Sequence, residues 1–78
     1  MREVEISLNN IDKVKKFVSI TSKFDAEMEI ICGRYVIDAK SIMGIFSMDL
    51  SKPVILRIHE EKEREEDVIN ALKEYVAR

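Results

Sequence analysis

Few residues in this 78-residue sequence have side chains suited to chemistry: one histidine, His59; one cysteine, Cys32; and Ser41, which precedes an apolar segment. An imidazole serves as nucleophile or base when a Ser, Cys or carboxylate is positioned beside it. No motif of that kind surrounds His59, which reads as a surface residue at a strand end before an acidic run. A single thiol forms no internal disulfide, and one Cys with one His makes no metal cage. No metal, cofactor or catalytic residue is therefore expected, and the absence of disulfides suits a reducing compartment. Ser41 is placed to cap a helix, a role worth about 1 kcal/mol. Behind it, Ile42, Met43, Phe46 and Met48 form an apolar set on a helix too short to bury all of them. The remainder, flanked by Lys40, suits a protein partner.

These residues depend on elements legible in the pattern. Residues 2–8 alternate, with Val4, Ile6 and Leu8 on one side and Glu3, Glu5 and Ser7 on the other, which predicts a half-buried strand. Asn9-Asn10 stops it and offers a side-chain cap. From Ile11 the apolar spacing becomes helical (Ile11, Val14, Phe17, Val18, Thr21), with Lys13, Lys15 and Lys16 outward and the end near Lys23. Residues 27–32 and 34–39 predict two strands joined at Gly33, with Cys32-Gly33 as an unusual turn pair because Cys tolerates positive φ poorly. A short helix over 42–48 follows. Pro53 opens a strand over 54–58, where its missing donor is harmless. Val68, Ile69, Leu72, Tyr75 and Val76 form the stripe of a last helix. The order is βαββαβα, an α+β chain whose four-stranded antiparallel sheet is covered on one face by three helices.

Residues 1–78 are enough for one domain. With 46% apolar residues, two Gly and one Pro, a packed core is expected rather than disorder. A net charge of −2 without a basic face speaks against nucleic-acid binding. Residues 60–67 mix acid and base and read as a solvated loop and helix start. The apolar runs are too short to span a bilayer and none resembles a signal peptide, so a cytoplasmic location is expected.

The segment Lys40-Ser41-Ile42-Met43-Gly44-Ile45-Phe46-Ser47-Met48 closely resembles the regulatory serine segment of HPr from low-GC Gram-positive bacteria. HPr is the small phosphocarrier of the sugar phosphotransferase system. The element order matches the whole HPr domain, and the likeness covers nearly all of the chain. It implies an open-faced sandwich and marks Ser41 as a site of phosphorylation by an HPr kinase/phosphorylase. Lys40, Ile42, Met43, Phe46 and Met48 are implied as a surface for that kinase, for a catabolite control transcription factor or for phosphotransferase enzymes. One departure stands nearby: Asp49 replaces a family glycine.

The family's second signature, a His followed by a small residue, Arg and Pro at the start of the first helix, is altered. The His position falls at or beside Asn10, the Arg position at Asp12 and the Pro position at Lys13, and residues 1–20 contain no histidine. Asn10 offers only a weakly nucleophilic amide. Asp12 repels phosphate where the family attracts it, and as a first-turn carboxylate it is a dipole partner or cap more often than an acceptor. The resemblance thus implies a regulatory or adaptor protein, not an enzyme, that carries no phosphate on histidine. The alternatives are a phosphocarrier using another residue and a structural or oligomeric domain that has lost both sites.

Overall fold

The computed structural model describes residues 1–77. Four strands and three helices follow one another as β1 (Arg2–Ile6), α1 (Ile11–Thr21), β2 (Glu27–Cys32), β3 (Tyr35–Asp38), α2 (Ile42–Phe46), β4 (Val54–His59) and α3 (Lys62–Ala71), with a 3-10 turn at Lys73–Tyr75. The strands form one antiparallel sheet in the order β1-β4-β2-β3. The α+β expectation holds, as does the open sheet with its three helices.

Register explains which residues make the core. Val4 stands opposite Leu56, Ile30 opposite Leu56 and Ile37, and Met28 opposite Ile58, so one face collects buried or partly buried apolar residues from every strand. The helices close that face with Val14 and Phe17 from α1, Ile45 from α2 and Val68 from α3, all fully buried. Phe17 meets Tyr75 edge-on, with ring centroids 5.9 Å apart, the geometry aromatic quadrupoles favour.

The structure corrects several sequence expectations. β1 stops at Ile6, although Leu8 beyond it is still buried. Ile11 opens α1 but points to solvent, because the buried stripe runs through Val14, Phe17 and Thr21. Cys32 is not in the hairpin turn: it pairs with Tyr35 and packs against the core. The two turn residues are Gly33 and Arg34, and only Gly33 has positive φ (59°), so the cysteine meets no strain. Val76 leaves the last helix, bridging to Ile6 beside β1. In the acidic run, α3 begins at Lys62 and Glu65 is buried, its carboxylate 3.0 Å from the Met1 amino group. No helix of the described residues is long and apolar enough to cross a membrane.

Candidate functional site

Two corners of the helical face carry the residues singled out by the sequence. The first is the N-terminus of α1. Asn10 takes extended backbone angles and its Oδ1 accepts the Lys13 amide at 2.8 Å, which is the N-cap arrangement that satisfies an otherwise orphaned donor. Asp12 lies in the first turn, where its charge complements the helix dipole. An open cleft of about 940 Å³ is lined here by Asn10, Asp12, Lys13, Lys16, Glu74 and Tyr75. Its chemistry is that of a closed cap. The Asn10 oxygen is already used, no imidazole is present, and the carboxylates of Asp12 and Glu74 offset the two lysines.

Glu74 and Tyr75 were legible only as the end of a helix. They reach this corner because the chain after α3 returns along β1: the Ser7 amide donates to the Tyr75 carbonyl at 2.7 Å and the Ala77 amide to that of Glu5 at 2.8 Å. The Tyr75 hydroxyl is buried without a hydrogen-bond partner. Burial pushes its pKa above the ordinary value of 10.0, and the neighbouring Glu74 carboxylate acts in the same direction. A raised native pKa means that this group's contribution to stability is fully present below pH 10.0, its unfolded value, and is lost as pH rises toward the native pKa. Accordingly, the wild-type thermal midpoint should fall more steeply above pH 10.0 than that of Tyr75→Phe. At neutral pH the same variant should be about 1 kcal/mol more stable in urea unfolding, having shed an unpaired buried hydroxyl.

The second corner is α2. Its approach is tied down by the buried Thr21 hydroxyl, which donates to the Ala39 carbonyl at 3.0 Å, and by Asp38, whose Oδ1 accepts the Lys40 amide at 2.9 Å and whose carbonyl accepts the Ser41 amide at 3.0 Å. Ser41 is thereby held as N-cap, its Oγ accepting the Gly44 amide at 3.1 Å. Gly44 permits a close approach to the sheet, since a Cβ there would lie 2.7 Å from Ile37 Cγ2 and 3.1 Å from Ser41 Oγ. Ile45 anchors the helix in the core.

The apolar set around Ser41 divides. Ile42 and Met48 are partly buried against the core, whereas Met43 is 81% and Phe46 42% exposed. Lys40 and Ser41 are half-buried at the rim. Just past α2, the Asp49 carboxylate accepts both the hydroxyl and the amide of Ser51. The Ser51 hydroxyl first, then its amide, hold the Asp49 pKa below the usual range, keeping a fixed negative charge close to α2. α1 and α2 pack against each other, and Thr21, at the far end of α1, donates to the Ala39 carbonyl on the approach to α2; Asn10 stands about 16 Å from Thr21 along the helix axis.

His59 belongs to neither corner. It ends β4 beside the start of β1, because Arg2 pairs with Ile58, whereas α1 follows the opposite end of β1, where Ile6 pairs with Val54. It also faces the open side of the sheet, with Nε2 2.7 Å from Glu29 Oε1. Among the described residues, no cluster of His, Cys, Asp and Glu is arranged to hold a metal ion.

Comparison with known proteins agrees with this geometry. The family model for the PTS HPr component phosphorylation site matches residues 11–78. The fold superposes on HPr-C-His from Thermoanaerobacter tengcongensis with a TM-score of 0.78 and 32% identity, covering 95% of this chain and 89% of that one. The phosphocarrier protein HPr of Bacillus anthracis gives 0.73 and 27%, covering 97% and 94%. Crh, a catabolite repression protein of Bacillus subtilis described as an intertwined, swapped dimer, gives 0.66 and 25%, covering 96% and 90%. No match is found among curated proteins. On the match over residues 11–78 and the shared fold, this chain belongs to the HPr family of the phosphotransferase system.

Proposed function

We propose that this HPr-family protein is a cytoplasmic regulatory or adaptor module that carries no phosphate on histidine and acts through the Ser41 corner. The contrast between the two corners carries this reading. At α1, Asn10 caps the helix and Asp12 puts a carboxylate in its first turn, and the family resemblance sets these residues at or beside the positions where a phosphocarrier needs a free imidazole and a cation. At α2, Ser41 opens a helix whose Met43 and Phe46 face solvent. A phosphate on Ser41 would sit at the helix start, where the Gly44 amide now donated to Oγ could turn to a phosphate oxygen. Partners of matching chemistry are an HPr kinase/phosphorylase, a catabolite control transcription factor or phosphotransferase enzymes. The likeness to Crh, a catabolite repression protein, supports the regulatory reading.

The test of the carrier half is incubation with phosphoenolpyruvate and the first enzyme of the system. No labelling is expected. An acid-labile label abolished by His59→Ala would overturn the reading, and the position of His59 on the open sheet face, away from α1, weighs against that result.

A further inference from the structure

The sheet face turned away from the helices is organised in rows. Glu5, Ile55, Ile31 and Val36 stand side by side across β1, β4, β2 and β3. Beside them runs Glu3, Arg57, Glu29 and Asp38, and beyond that the pair His59 and Glu27. Val36 is 55% exposed, and Ile31 and Ile55 are partly exposed, so the first row forms a short apolar stripe. Five carboxylates (Glu3, Glu5, Glu27, Glu29 and Asp38) share this face with one guanidinium. Arg57 is engaged by Glu3 at 2.9 Å and Glu29 at 3.7 Å, and His59 by Glu29 at 2.7 Å. Among the described residues Glu5, Glu27 and Asp38 make no salt bridge. Since the whole chain carries only −2, this face is more acidic than the molecule and the rest of it is net positive.

We propose that this open face docks a basic amphipathic helix of a partner protein, independently of the Ser41 corner. Geometry and charge both fit. Neighbouring strands lie about 4.8 Å apart, close to the roughly 5.4 Å pitch of a helix. Apolar residues at i, i+4 and i+7 of a helix lying across the strands therefore meet Ile55, Ile31 and Val36 in turn. Same-face residues along a strand are about 6.6 Å apart, so lysines or arginines on one flank of that helix reach the carboxylates of the next two rows. Opposite charges across such a contact set its orientation and speed its association.

The experiment uses the full chain and, as probe, a synthetic helical peptide with a leucine stripe flanked by lysines, followed by NMR shift mapping and fluorescence anisotropy. The largest shifts are expected at Ile31, Val36, Ile55 and Glu29. Val36→Lys and the separately exposed Glu27→Lys should each weaken binding by about tenfold, Met43→Ala should leave it unchanged, and a glutamate-flanked version of the peptide should not bind. Shifts centred on α2, or equal affinity for wild type and both lysine variants, would overturn the proposal. So would a concentration-dependent dimer abolished by Val36→Lys, which would make a second copy the occupant.

Discussion

Phe17→Ala should cost about 3–5 kcal/mol of stability, the range for emptying a buried aromatic site. Phe17 is fully buried between the sheet and the return segment, and its ring supports Tyr75 edge-on. The void would fall where α1 meets the segment that follows α3. In a domain of this size, total stability of about 5–15 kcal/mol leaves little margin. The urea midpoint of Phe17→Ala should drop to a fraction of the wild-type value, with part of the population unfolded before denaturant is added. Ile11→Ala, on the same helix but 61% exposed, should stay within about 0.5 kcal/mol of wild type. Equal midpoints for the two variants would contradict the burial of Phe17 and the exposure of Ile11.

The second large effect concerns binding. Met43→Asp and Phe46→Asp alter side chains that project from α2 without filling the core. Each should leave the urea midpoint nearly unchanged. Each should nevertheless weaken association with an HPr kinase/phosphorylase by about 2 kcal/mol, roughly thirtyfold, as expected when an exposed apolar anchor is replaced by a charge that must be desolvated. Isothermal titration with purified kinase reads the affinity directly. The buried neighbour Ile45 is no substitute in this test, because changing it would unfold α2 as well.

How far the sequence disclosed this molecule depends on the range of each interaction. The Asn10 and Ser41 caps were legible because a cap is written in four consecutive residues, and both form as expected. The alternation of β1 and the stripe of α1 were equally local. The neighbours of β4 were not: β4 lies between β1 and β2 and pairs with both, which joins residues far apart in sequence, and no single-strand pattern specifies it. The return of Val76 and Ala77 beside β1 was hidden for the same reason, so Glu74 and Tyr75 were missed as part of the α1 corner. Glu65 looked like one more solvated carboxylate because its burial depends on how α3 docks. Ile42 and Met48 fitted an exposed apolar set by spacing alone, and only the close approach of Gly44 to Ile37 brings that helix low enough on the sheet for both to pack against the core.

Whether the Ser41 corner is the working one is read by intact-mass spectrometry after incubation with ATP and an HPr kinase. One added phosphate is expected on the wild-type protein, mapped by fragmentation to Ser41. None is expected on Ser41→Ala, which loses only about 1 kcal/mol of cap stability and remains folded. Unchanged mass of the wild-type protein, or the same added phosphate on Ser41→Ala, would contradict a working role for the Ser41 corner.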